Sequence, residues 1–281
     1  MMRGMFAAIS GLRVHQIMLD VTANDIVNVN TVGFKAERTT FKDALSQTQR
    51  GASGPSASLG GTNPAQIGLG VQLNGIDNLM QSGAIQSTGN ALDVAIQGDG
   101  FFRVASFSGG AFGAKEYTRA GDFTRDTNGY LETPDGDYVV GFTLDPTTGT
   151  PTTTETRIQI PSDAKSVSIG SDGIVTVVDS AGTVTKVAAI TLAKFPNDAG
   201  LERVSGNKFR MSNNSGAEVV GTPGDTNGLG TLAAGSLEMS NVDLAAEFTN
   251  MIEAQRGFQA NGRVISTADQ MLQDLVNLGR A

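Results

Sequence analysis

The stretch NVDLAAEFTNMIEAQRGFQANGRVISTADQMLQDLVNLGRA, residues 241–281, decides how the rest of the chain is read. From Leu244 an apolar residue returns every seventh position, at Met251, Phe258, Ile265 and Leu272; Glu247, Ala254, Asn261, Ala268 and Leu275 form a second row three residues on. Such a recurrence holds one stripe of a helix on a single seam, so the stretch predicts a helix that packs along its length. The other end of the chain repeats the device. Met5, Leu12, Leu19 and Ile26 are spaced by sevens, with Met2, Ile9, Gln16 and Ala23 beside them. A proline-free helix of about 40 Å is predicted over residues 2–28.

Between these ends the pattern changes to short β runs, at residues 91–96, 101–105, 138–144, 167–169, 174–178 and 187–195. Asp99-Gly100, Asn128-Gly129, Asp135-Gly136, Asp172-Gly173 and Ala181-Gly182 punctuate them, and Gly, Asn and Asp tolerate the positive φ of tight turns. The predicted fold is therefore α+β and multi-domain. Residues 1–30 and 241–281 pair as an α-helical coiled-coil domain, and residues 76–240 form a central antiparallel all-β domain. Residues 31–75 connect the two, with Gly51, Gly54, Gly60 and Gly61 in a small-residue segment that reads as a flexible linker. The threonine-rich residues 146–156 read as an exposed loop. A lone pair of helices is marginal in water, so neighbouring chains are the expected cover for the seams, with the termini ordering only on assembly.

Composition narrows the function. The 281 residues carry a net charge of −8 and no cluster of Lys and Arg, which argues against a nucleic-acid surface. Cysteine is absent, which excludes disulfides and thiolate chemistry. No run approaches the roughly 20 apolar residues of a membrane span, and the start of the chain lacks the features of a cleavable signal, so any export is expected to follow another route.

No residue pattern supports catalysis, a cofactor or a metal. The single histidine, His15, has no acid or serine at motif spacing. Asp93, Asp99, Asp122 and Asp126 sit beside turns, where acids normally serve as turn formers. Residues 124–129, TRDTNG, start like a calcium loop but place Thr first and Asp135 twelfth. Residues 98–103, GDGFFR, lack the third glycine of a dinucleotide fingerprint, and Asp99 would repel a pyrophosphate.

Three stretches carry a resemblance: residues 23–35 (ANDIVNVNTVGFK), residues 92–102 (LDVAIQGDGFF) with 117–123 (YTRAGDF), and residues 235–280. Within them Asn24, Asn28, Asn30, Gly33, Phe34, Gln255, Arg256 and Asn261 are the motif positions. The sequence resembles the axial proteins of the bacterial flagellum, specifically the hook protein, with the rod proteins as close relatives. The resemblance implies a non-enzymatic, extracellular subunit of the flagellar hook, exported without a cleavable signal. It implies a helical homopolymer around a channel, packed through Met5, Ile9, Leu12, Leu19, Ile26, Leu244, Met251, Phe258, Ile265, Leu272 and Leu275. Implied partners are the distal rod protein, the hook cap, the hook–filament junction proteins and the export apparatus. Residues 46–71 look like the hook version, without the Gln/Pro-rich insertion of distal rods, whereas the length is also that of a distal rod subunit, which is the alternative. A secreted β-domain enzyme or adhesin with helical oligomerisation tails is the rival outside the family.

Overall fold

Helix α1 (Met2–Val27) and helix α2 (Leu244–Leu278) occupy the two heptad segments. The computed structural model describes residues 2–55, 60–145, 148–225 and 227–279. The chain divides into two units: residues 1–27, 37–78 and 243–281 form a helical unit, and residues 28–36 and 79–242 form a β unit.

In the helical unit, Asp243 caps α2 by accepting the N–H groups of Ala245 and Ala246, which satisfies two of the orphan donors at a helix start. The helices run antiparallel. Gly11 of α1 faces Asn261 of α2, while His15, one turn later in α1, faces Gly257, one turn earlier in α2. A Cβ at Gly11 would lie 2.6 Å from the Asn261 amide, and one at Gly257 would lie 2.5 Å from the His15 ring. Each glycine thus receives one polar side chain of the opposite helix. The apolar side chains buried on these helices are correspondingly small, Ala8 and Val14 on α1 and Ala254 and Ala268 on α2. The row Ala254, Asn261, Ala268 therefore faces the partner helix, with Met251, Ile265 and Leu272 partly covered beside it. Leu244, Phe258 and Leu275 are exposed.

The expected connector takes a different form. Strand β1 (Glu37–Asp43) pairs with β4 (Val71–Asn78), and β2 (Ser46–Arg50) pairs with β3 (Ala65–Gly68), both antiparallel. A further bridge joins Ser53 to Thr62, with both backbone bonds at 3.0 Å and the two hydroxyls 2.8 Å apart. Gly51, Gly54, Gly60 and Gly61 thus lie in the outer part of a hairpin that leaves and rejoins the helical unit, rather than in a linker between units; residues 56–59 lie outside the described residues. Local composition predicted freedom here, but the flanking residues have a strand partner at matching register and cross-strand hydrogen bonds. The ribbon meets α1 where Gly70, at φ +126°, allows the Ser10 hydroxyl to accept the Val71 N–H.

The β unit is antiparallel in every strand pair described. Strand β5 (Ile85–Ser87) pairs with Ser236–Glu238, and β6 (Val94–Gln97) with Thr231–Ala234. Strand β7 (Phe101–Ser108) lies centrally in the large sheet, pairing with β8 (Ala111–Thr118), with Tyr138–Leu144 and with Leu192–Lys194. Its residues are fully buried from Phe101 to Ala105, which accounts for the continuous apolar run interrupted only by Arg103. One core cluster gathers Ile96, Phe102, Phe123, Val139, Ile158 and Ile190; another gathers Phe101, Tyr117, Phe195 and Phe209 around edge-on ring contacts. The segment read as a threonine-rich loop holds a strand, Pro151–Arg157, on Tyr138–Leu144. Pro151 is tolerated as its first residue, where no ladder donor is lost from the interior. Residues 146 and 147 lie outside the described residues.

Candidate assembly surfaces and a buried polar knot

The motif Asn28–Lys35 begins where α1 ends. Thr31 closes a turn onto Asn28 through its N–H (3.1 Å to the carbonyl) and its hydroxyl (3.1 Å to Oδ1). Gly33 then takes φ +67° and lies so close to residues 119–120 that a Cβ would stand 2.4 Å from the Ala120 nitrogen, while its N–H donates to the Glu238 carbonyl at 2.8 Å. Only glycine combines that conformation with that approach. Phe34 is buried beneath the Arg203 guanidinium, 4.6 Å from ring centre, and Arg203 also donates to the Lys35 carbonyl at 2.8 Å.

Lys35 is wholly buried, and its ammonium donates to Glu238 Oε1 at 2.6 Å and to the Gln81 carbonyl at 2.8 Å. Arg119 reaches Glu238 Oε2 at 3.3 Å, and the Gly83 N–H donates to Oε1 at 2.9 Å. Burial lowers the Lys35 pKa, with the Glu238 carboxylate opposing it and Arg119 reinforcing it. One carboxylate therefore serves two cations where no water screens them, so removing it would leave both charges uncompensated. Asn241 completes the knot by accepting the Ala36 N–H and donating to the carbonyls of Leu79 and Gln81. Within the β unit, residues next to three of the four points where the chain passes between units are thereby tied together. Heptad spacing and turn signals carry no trace of this; the sequence cue is a Lys placed directly after Val32-Gly33-Phe34.

The remaining motif positions separate from one another. Asn24, Asn30, Gln255 and Arg256 are exposed, whereas Asn261 is half-buried against Gly11. Among the packing residues, Met5, Leu12, Leu19, Ile26, Met251, Ile265 and Leu272 are half-buried, and Ile9, Leu244, Phe258 and Leu275 are exposed. Sequence spacing missed further exposed apolar side chains, Phe6 on α1 and Phe248, Ile252, Val264, Met271 and Leu278 on α2. Only Val264, Met271 and Leu278 are spaced by sevens, and Gly257 and Asn250 interrupt that row earlier along the helix.

Reactive constellations are scarce among the described residues. His15 Nδ1 has no hydrogen-bond partner, and the ring packs on Gly257. Asp126 accepts the N–H groups of Asn128 and Tyr130, forming the turn at Gly129 that resembled a calcium loop. Asp93 spends both oxygens on Thr88 and Asn90, and burial raises the Asp122 pKa, helped by Asp93 and Asp135. A cleft of about 220 Å³ beside Asp122, Asn207 and Lys208 is crossed by Lys208, which pairs with Glu116, Asp135 and Asp137. No group of three or more metal-type ligands is found among the described residues. Nor is either helix long and apolar enough to cross a membrane.

Comparison with known proteins joins these surfaces to a family. Residues 95–177 match the flagellar hook protein FlgE/F/G D1 domain, and residues 233–278 match the flagellar basal body rod FlgEFG protein C-terminal domain. The flagellar basal-body rod protein FlgG of Bacillus subtilis (strain 168) is 49% identical over 281 residues, covering 100% of both chains. FlgG of Agrobacterium fabrum is 38% identical, over 96% of this chain and 97% of its own. The flagellar hook protein FlgE of Borreliella burgdorferi is 27% identical in an alignment of 446 residues that covers 99% of this chain. The chain belongs to the FlgE/F/G family of flagellar hook and basal-body rod proteins, the axial structural subunits of the flagellum.

Proposed function

We propose that this chain is a distal rod subunit, self-assembling into a stiff tubular shaft within the flagellar basal body. The observation that carries this reading over the hook is length in register: rod relatives align end to end with this chain, whereas the hook relative needs 446 aligned positions to span it. The paired hairpin at residues 46–68 supports the same reading. Joined strands resist bending better than a glycine-rich tether, and a drive shaft has to resist bending. The hook expectation leaned on that segment being a flexible linker, and it loses that support.

Self-polymerisation through the terminal helices is the mechanism this reading requires. An isolated helix pair with apolar side chains in water is incomplete, and identical neighbours are the cover present at the highest local concentration. The hook protein, as the next segment of the axis, and the export apparatus remain the proposed partners, and the proposed location is the rod within the cell envelope rather than the outer surface.

Electron microscopy of structures built from the purified chain tests the reading. Straight, unbending tubes are expected. Replacing residues 51–63 by a short Gly-Ser turn is expected to allow curvature. Curved tubes from the unaltered chain would return it to the hook, and closed oligomers of fixed size would favour a secreted adhesin or enzyme.

A further inference from the structure

Helix α2 outruns its partner. The pairing of Gly11 with Asn261 and His15 with Gly257 sets residue 2 of α1 level with about residue 270 of α2, so residues 271–278 project about 12 Å beyond the start of α1. On this overhang Met271, Asp274, Leu275 and Leu278 share one helical face by their spacing of three, four and seven, and all four are exposed.

The helical unit also holds a groove of about 600 Å³, where Phe6, Ile9, Arg13 and Ile17 of α1 face Val71 and Leu73 of β4. The α1 residues again form one stripe, at spacings of three, seven and eleven. Each stripe is apolar with a single charge, Arg13 in the groove and Asp274 on the overhang. Neither charge has an ion-pair partner among the described residues.

We propose that the end of α2 from one copy seats in the α1–β4 groove of a second copy, with Asp274 against Arg13. This rests on the reading that the chain polymerises, and it specifies one contact of the polymer. A chain's own overhang cannot fill its own groove, because a continuous helix carries residues 271–278 away from α1. Overhang and groove are different surfaces, so the contact is heterologous and propagates rather than closing. With copies oriented in the same sense, α2 of one runs antiparallel to α1 of the next, which places Leu278 beside Ile9 and Met271 beside Ile17. Within one chain Arg13 is level with about residue 259, so reaching Asp274 staggers neighbouring copies by about 22 Å along the helix axis.

The absence of cysteine makes the contact directly testable. An equimolar mixture of Ile9→Cys and Leu278→Cys chains, assembled and mildly oxidised, is expected to give a disulfide-linked pair that the unassembled mixture lacks. Arg13→Asp or Asp274→Arg alone is expected to raise the critical concentration for assembly roughly tenfold. The chain carrying both reversals is expected to recover to within about threefold of the original. Tubes that form without the cross-link, or reversals that fail to rescue each other, overturn the docking and leave polymerisation standing. Failure of the unaltered chain to form any tube overturns the reading on which the docking rests.

Discussion

The two units treat large apolar side chains in opposite ways. In the β unit Phe101, Phe102, Phe123 and Phe209 are each at most 1% exposed, packed edge to face or into strand interiors. In the helical unit Phe6 is 60% exposed, Phe248 51% and Leu278 74%, and the buried apolar side chains of the two helices are small, Ala8, Val14, Ala254 and Ala268. A β-sheet closes its own backbone hydrogen bonds and can enclose a core within one chain. Two antiparallel helices offer only one shared face, so apolar side chains on their other faces stay exposed in the single chain. The β unit encloses its own large apolar side chains, and the helical unit leaves many of its own exposed.

Substitutions can break this contrast. The largest effect is expected at the knot: Glu238→Ala strands the buried Lys35 and Arg119 charges and is expected to cost about 3–5 kcal/mol, read by chemical denaturation of the β unit. A comparable loss, about 3–5 kcal/mol, is expected from Phe102→Ala, which empties a site in contact with Phe123. Phe248→Ala on α2 sharpens the comparison, since it is expected to leave the denaturation midpoint of the unassembled chain within about 0.5 kcal/mol while weakening assembly. Equal losses from Phe102→Ala and Phe248→Ala would mean that the helical unit is as complete as the β unit.

Backbone and pH effects are smaller. Gly33→Ala forces a side chain into positive φ against the residue 119–120 backbone and is expected to destabilise the β unit by about 1–3 kcal/mol. Asp99 supplies the pH test. Its hydrogen bond from Lys194 lowers its pKa, against a smaller opposing effect of burial. A carboxylate with a depressed folded pKa contributes stability that is present above its unfolded value near 3.9 and is lost as pH falls through the folded one. Asp99→Asn is expected to flatten the acid limb of a denaturation-against-pH curve slightly, by lowering stability a little at neutral pH and leaving it unchanged below the folded pKa. An unchanged acid limb would remove the Asp99–Lys194 pair from the stability of the β unit.

Much of the architecture was legible in local pattern. The positions of α1 and α2 follow from the seven-residue spacing, because helical periodicity depends on near neighbours alone. The turns at Gly129, Gly136, Gly173 and Gly182 follow from dipeptides whose glycines do adopt positive φ. Pairing between distant segments was not legible. The hairpin at residues 46–68 is rich in glycine and serine, and nothing local in Ser53 announces Thr62 as its partner. Strand Pro151–Arg157 was hidden in the same way by threonines whose ladder lies on Tyr138–Leu144.

The sequence by itself determined two helices, a β-rich middle and an affinity with flagellar axial proteins, since these rest on periodicity, turn chemistry and motif, all carried by residues close in the chain. Tertiary structure alone decided which heptad row faces inward, that residues 37–78 join the helices, and that Lys35, Arg119 and Glu238 meet in one buried site. Those facts depend on which surfaces, 61 to 250 residues apart, come within a few ångströms of one another. A linear pattern carries no distance of that kind.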